Sequence, residues 1–203
     1  MWKKVVMKRI GYLFIPLFFL VGCAVTRDEV SLNYEPLTQV EKIPAAEAIH
    51  TQVKVLDQRQ EKEKVSCKKN GYGMEMAPIV SREDVTTFVQ NSINLELLRR
   101  GFVIDEAVNP HVMVDVSLAK FYNDFKMGFF SGSGVSELIF DIKVKNRQKE
   151  IVYQRNIITK GVEDPVFIFS GKNAKASLED ALRNGMNELL ADESFIESLL
   201  KEN

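Results

Sequence analysis

The chain has 203 residues, with 27 Lys and Arg against 28 Asp and Glu. Four of the basic residues (Lys3, Lys4, Lys8 and Arg9) lie at the N-terminus, so the chain after position 22 has 23 basic and 28 acidic residues, a formal charge of -5. Such a chain has no basic surplus for holding phosphate backbones, and we expect no nucleic acid among its partners. The length fits one domain plus a tether.

The N-terminal segment has the layout of a secretory signal peptide. Its basic start is followed by an apolar run from Ile10 to Val21 that contains no acidic residue. A helix needs about 20 apolar residues to cross the hydrocarbon core, and this run is shorter. The pattern therefore predicts a processed leader over residues 1–22.

The end of the apolar run resembles a bacterial lipobox. It reads Leu20, Val21, Gly22, Cys23, with small residues that fit a narrow peptidase site and a thiol that takes a diacylglyceryl group. We expect cleavage between Gly22 and Cys23 and attachment to the membrane through lipid on Cys23. The alternative is an ordinary signal peptide, or an uncleaved anchor, that carries a cysteine by chance.

The residue after the cysteine indicates which membrane holds the protein. In enteric lipoproteins an Asp at that position commonly signals retention in the inner membrane, and here the residue is Ala24. The sequence therefore predicts a lipid-anchored protein on the periplasmic face of the outer membrane of a Gram-negative bacterium.

Cys67 has no partner for an internal disulfide if Cys23 is lipidated. Its thiol is then either a redox point open to mixed disulfides or, as we favour, a small apolar group packed in the core. The spacing of Cys and His residues matches no metal motif, and we expect neither a metal nor a cofactor.

Residues 23–50 have scattered charge and no sustained period, which indicates a tether or a strap across the domain. Leu32 and Tyr34 alternate as in a strand, so part of this segment is expected to dock. The domain itself is predicted over residues 51–203, beginning with a short strand in "TQVKVLD".

A helix is predicted in "SREDVTTFVQNSINLELLRRG", with Ser81 as its N-cap and Gly101 just past its end. Before it, Asn70 to Gly73 form a turn signal. The period then changes from 3.6 to 2 through three strands: "HVMVDVSL", "SELIFDIKVK" and "EIVYQRNIITK". A second apolar helical stripe fills the C-terminal stretch from Asn173 onward.

Strands that are apolar on one face and polar on the other form an antiparallel sheet covered on one side. The predicted fold class is therefore α+β: a two-layer sandwich, mostly antiparallel, with two helices on one face and the order β-α-β-β-β-α.

No catalytic motif stands out in the sequence. His50 and His111 belong to no HExxH pattern, and "GFFSGSGVSE" lacks the spacing of GxGxxG and precedes a strand. The carboxylate pairs Asp105 with Glu106 and Asp192 with Glu193 lie near element ends, where solvation explains them. We expect a protein that is not an enzyme.

Two segments are candidate contact sites. The glycine-rich connection from Lys126 to Gly134 carries Met127, Phe129 and Phe130, which either contact a partner or lipid or fold back over an open edge of the core. The contact interpretation is narrowly favoured.

The second candidate segment is "NGYGMEMAP". Tyr72 is a possible contact in it, whereas Met74 and Met76 are expected to fill the core.

Several motifs together resemble the YajG-type family of uncharacterised bacterial lipoproteins. They are the lipobox ending at Cys23, followed in order by "LNYEP", "VLDQR", "NGYGMEMAPI" and "RRGF". The resemblance implies an outer-membrane lipoprotein that faces the periplasm, and it brings no catalytic residues.

Two functions are compatible with these features. The first is a non-catalytic binding or accessory module for an envelope protein complex. The second is a binder of a small envelope ligand, such as a peptidoglycan fragment or a lipid, in a groove between helices and sheet.

Overall fold

A computed structural model describes residues 26–105 and 110–201, and it confirms the α+β prediction. The predicted signal peptide, the cleavage site at Gly22 and the lipidation site at Cys23 lie outside the described residues. Among the residues described, no helix is both long enough and apolar enough to cross a bilayer.

The described part of the chain contains eight strands and three α-helices. The strands are β1 Asp28–Val30, β2 His50–Asp57, β3 Ser66–Lys69, β4 Glu75–Ser81, β5 Val103–Ile104, β6 Val112–Lys126, β7 Gly132–Lys145 and β8 Ile151–Val166. The helices are α1 Val85–Arg99, α2 Gly171–Leu190 and α3 Glu193–Leu200, and a short 3-10 turn spans Ala46–Ala48.

The larger sheet has five strands in the order β5-β2-β6-β7-β8. Strands β6, β7 and β8 form a long antiparallel meander, as predicted. Strand β2 differs, because it runs parallel to both β6 and β5. A parallel neighbour needs a long crossover, and here β3, β4 and α1 supply it.

The buried face of the meander follows the period-2 pattern of the sequence, with one interruption. Leu118 and Phe121 are both buried although three positions separate them. The ladder between β6 and β7 shifts register between Leu118 and Lys120. This β-bulge absorbs one residue, so both halves of the strand direct apolar side chains to the core.

The N-cap of helix α1 lies three residues later than predicted. Ser81 is the last residue of β4, and Asp84 is the N-cap, with its Oδ1 accepting from Thr87 N at 2.8 Å. The end is as expected, because Gly101 takes the left-handed conformation (φ 103°) that a C′ residue favours.

The single C-terminal helix that the sequence predicts is two helices. The helix is interrupted at Asp192, whose carboxylate accepts from Ser194 N at 2.9 Å and caps α3. The same carboxylate also accepts from Tyr153 Oη at 2.9 Å and from Arg155 Nη1 at 2.7 Å on β8. Because Asp192 caps α3 and binds β8, α2 ends before it. The periodicity of apolar residues does not reveal this break.

A second sheet has the order β1-β4-β3. Cys67 lies in β3, is buried and free, and directs its Sγ at the carbonyl oxygen of Ala77, 3.1 Å away. Burial raises the pKa of this thiol, and the prediction of an inert, packed cysteine agrees with its position.

Buried polar groups join the two sheets to α2. Asn123 of β6 donates to Ser66 Oγ at 2.8 Å and accepts from Ser177 Oγ at 2.7 Å. Ser177 also lies 2.7 Å from Ser136 Oγ of β7. These buried amide and hydroxyl groups are engaged in a structural network that joins the two sheets and α2.

Candidate interaction surfaces

The N-terminal segment before β2 is docked on the domain over much of its described length. Strand β1 pairs in parallel with β4, and Asp28 lies 2.8 Å from the Lys68 ammonium. Asp28 also accepts from Gly171 N, at the start of α2, at 2.9 Å. The segment 26–49, called the strap from here on, therefore contacts both sheet and helix.

Asp28 has a pKa below its ordinary value. Partial burial acts to raise the pKa, but the hydrogen bonds from Lys68 and Gly171 N–H outweigh it. The Asp28 carboxylate is therefore charged at neutral pH when the strap is docked.

A buried carboxylate holds the rest of the strap. Glu96 of α1 is fully buried and accepts from Tyr34 Oη at 2.8 Å and Leu37 N at 2.9 Å. Its charge is matched by Arg100 Nη1 at 2.6 Å. The sequence carries no signal for the role of Glu96, because a Glu in a helix is ordinarily solvated and no pattern marks this one as buried.

The predicted contact residues lie at one end of the domain. The rings of Phe129 and Phe130 are 94% and 90% exposed and pack edge to face, with centroids 4.7 Å apart. Met127 beside them is also exposed. The alternative, in which the two rings close over the core, is wrong.

The structure adds residues to this end that the sequence did not indicate. Phe167 and Ile168, in the connection from β8 to α2, are 78% and 77% exposed. Their neighbour Phe169 turns inward and stacks on Phe125, with centroids 4.8 Å apart. A Cβ on Gly132 would lie 2.6 Å from the Phe169 ring, so glycine is required there for this packing.

We call Met127, Phe129, Phe130, Phe167 and Ile168 the apolar end. Together with the turn after β3, these residues surround a concavity of about 640 Å³. Lys68, Lys69 and Ser170 also line it.

Tyr72 lies in the turn beside this concavity and is 90% exposed. The turn forms as predicted, with Asn70 Oδ1 accepting from Tyr72 N and Met74 N. The expectation that Met74 and Met76 fill the core is wrong, because both are exposed, Met74 just before β4 and Met76 within it. Alternation placed them on one face but could not tell which face is covered.

The two histidines lie together at the other end of the sheet. Their rings are 5.1 Å apart, and His50 Nδ1 lies 3.1 Å from Asp105 Oδ2. No group of three metal-ligating side chains was found within the described residues.

The face of β7 and β8 that points away from the helices carries two apolar cross-strand pairs. Ile139 lies opposite Ile158, and Val135 lies opposite Val162. Ile158 and Val162 are 56% and 55% exposed. We call these four residues the open-face pairs.

The open-face pairs lie among charged side chains. Glu137 and Lys160 form the cross-strand pair between them, and Lys120 binds Glu137. The alternation in the sequence predicts a polar face here, so the apolar pairs are an addition that the structure reveals.

The fold also occurs in a bacterial protein of low sequence identity. A crystal structure of a protein from Xanthomonas campestris matches with a TM-score of 0.57 at 10% identity, covering 81% of this chain and 92% of that one. A lipoprotein from Neisseria meningitidis matches with a TM-score of 0.40 at 8% identity, covering 71% and 99%. No curated protein sequence matches the chain.

The α+β domain therefore has the fold class of the Xanthomonas protein. A family model described as "Uncharacterized lipoprotein" matches residues 36–199. The chain belongs to this lipoprotein family, and the YajG-type resemblance of its motifs is consistent with that family.

Proposed function

We propose that this lipoprotein is anchored to the periplasmic face of the outer membrane through lipid on Cys23, where it acts as a non-catalytic accessory module for an envelope protein. The open-face pairs are the observation that carries the proposal. They present apolar area to solvent on the edge strand β8 and its neighbour β7. Charged side chains that can set orientation flank them, and this is the composition of a protein contact surface.

The docked strap supports the same function. A loose tether would leave the domain free to tumble beneath its anchor, whereas Asp28 and Glu96 hold the strap against β3, α2 and α1. The sheet face is thereby held in a fixed relation to the strap, which begins a few residues after Cys23 in the sequence. An accessory protein that positions a partner near a membrane needs such a relation.

The ligand-binding alternative places its site in a groove between helices and sheet. In the described residues that interface is filled by side chains with no exposed surface, among them Leu178, Leu182 and Met186 of α2. A concavity of about 270 Å³ lies instead between the strap and α1, beside Tyr34 and Leu95. The interior therefore offers less support to a small-ligand site than the open face offers to a protein contact.

Site-specific photo-crosslinking in cells tests the proposal on the full lipidated chain. A photoreactive residue at position 158 is expected to give a discrete protein adduct, whose partner mass spectrometry identifies. Glu197 is the control position, because it is exposed on α3, and α3 packs on the opposite face of the sheet through Phe195 and Tyr153.

A second change shows whether the adduct depends on the open face. Val162→Lys should remove the adduct from position 158 without changing protein level, because it places a charge within the apolar contact. A protein adduct that forms equally from position 197, or that survives Val162→Lys, contradicts the proposal.

A further inference from the structure

We propose that the apolar end is a second membrane contact, which seats the domain on the same leaflet that holds the lipid on Cys23. This inference rests on the lipidation in the proposed function, but it concerns a different surface from the open-face pairs.

The strap joins the domain beside the apolar end. Asp28 binds Lys68 and Gly171 N. Lys68 lines the concavity of the apolar end, and so does Ser170, the residue before Gly171. The strap therefore begins at this end of the domain.

Only a short length of chain separates that point from the anchor. Asp28 follows Cys23 by only a few residues, and a fully extended chain spans at most about 3.6 Å per residue, or roughly 18 Å over this stretch. Acyl chains on Cys23 enter the bilayer, so Asp28 and the groups that it binds stay within that distance of the anchoring residue. The apolar end is consequently the part of the described domain that the anchor holds close to lipid.

The apolar end also has the composition of a contact surface. Three phenylalanines and an isoleucine in two adjacent connections expose apolar side chains that no element covers in the described residues. An exposed cluster of this kind marks a protein or a membrane contact. The short tether decides between the two, because it leaves a bilayer surface within reach and little room for a protein between.

A second membrane contact through the apolar end would strengthen the attachment of the protein to the bilayer. Apolar side chains buried about 5–10 Å into the boundary between headgroups and acyl chains add their own affinity to that of the lipid. Because the anchor already holds them at the surface, their insertion is an intramolecular step. Seating would also fix the tilt of β8, whose first residue Ile151 lies about 50 Å from its last along an extended strand.

The processed chain is expected to lack tryptophan, so a single introduced tryptophan can report on its own surroundings by fluorescence. The only tryptophan is Trp2, so Phe130→Trp gives a single reporter in the apolar end. Ile151→Trp gives a matched reporter at the far end of β8, since Ile151 is also exposed. Both lipidated proteins are reconstituted into vesicles of phosphatidylethanolamine and phosphatidylglycerol, with or without brominated acyl chains.

We expect brominated lipid to quench the Phe130→Trp reporter severalfold and to leave the Ile151→Trp reporter nearly unchanged. The indole at position 130 should also be shielded from acrylamide. Equal quenching of the two reporters, or free access of acrylamide to position 130, overturns the inference. Shielding of position 130 that needs a periplasmic extract, without quenching by bromolipid, overturns it in favour of a protein partner.

Intact mass of the same samples separates this failure from a failure of lipidation. An acylated Cys23 together with a solvent-exposed indole at position 130 overturns the membrane contact and leaves the proposed anchor standing. A Cys23 without acyl chains overturns the anchor itself, and the membrane contact that rests on it.

A loss-of-contact variant completes the test. Phe129→Ser with Phe130→Ser should lower the quenching of a tryptophan introduced by Phe167→Trp while leaving the melting temperature almost unchanged, because both rings are exposed. Unchanged quenching at position 167 in that variant would show that the two rings do not enter the membrane.

Discussion

The carboxylate of Asp28 lies 2.8 Å from the Lys68 ammonium, although the two residues belong to the first and third strands of the chain. This ion pair joins β1 to β3, and Gly171 N–H completes it from α2. One carboxylate thus holds together the strap, a sheet and a helix at the end of the domain nearest the predicted lipid.

The docking of the strap should weaken in acid. The pKa of Asp28 is lowered in the folded protein, so its stabilising contribution is present above the unfolded value, near 3.9, and is lost as pH falls through the folded value. Wild type should be more stable than Asp28→Asn at pH 7, and the difference should shrink as the pH falls to about 3. Denaturant unfolding of both chains at several pH values measures this difference, and a constant gap would contradict it.

Glu96 should be the strongest single support of the strap. Glu96→Ala leaves the buried Arg100 without its 2.6 Å partner and removes the acceptor of Tyr34 and Leu37. Breaking a buried ion pair on one side costs about 3–5 kcal/mol of unfolding free energy. The exposed Glu61→Ala is the control and should change stability by less than about 0.5 kcal/mol. Similar losses in both variants would show that Glu96 has no special role.

Gly161 should tolerate no side chain. A Cβ there would lie 2.0 Å from the Ser177 carbonyl oxygen and 2.3 Å from Ala181 N, which belong to the backbone of α2. Gly161→Ala must push the helix away from β8, at a cost of about 1–3 kcal/mol or more. Gly71→Ala is the matched control, because its Cβ would meet nothing within 4 Å. Thermal melting compares the two, and equal melting temperatures would refute the close contact.

Processing at Cys23 has a mass and a fluorescence signature. The purified membrane protein should carry acyl chains on Cys23 and should lack tryptophan emission, because Trp2 leaves with the signal peptide. Cys23→Ser should abolish the added mass. An intact mass that retains Trp2, or an unmodified Cys23, would refute the lipobox prediction.

The residue after the anchor should control sorting. If Ala24 permits transfer to the outer membrane, wild type should sediment with that membrane in a sucrose gradient, and Ala24→Asp should shift it to the inner one. Ala24→Ser is the control for a change of side chain without charge. Wild type that already sediments with the inner membrane would contradict the assignment.

Local signals in the sequence were sufficient for the main elements of the fold. Period-2 alternation located β6, β7 and β8, and the stripe of Val85, Phe88 and Val89 located α1. These patterns report which face of an element is apolar, and a sheet that is covered on one side follows from them. Residues 1–23 carry the lipobox signal in the same way, since a peptidase and an acyl transferase read a short linear motif.

Tertiary structure alone decided how the contact surfaces are assembled. The apolar end joins Phe129 and Phe130 to Phe167 and Ile168, which lie in a different connection, and Asp28 brings the strap to the same place. Met74 and Met76 show the same limit. Their alternation placed them on one face of a strand but did not show that this face is exposed to solvent. The physical reason is that burial depends on which distant segment packs over a residue, and neither composition nor periodicity contains that information.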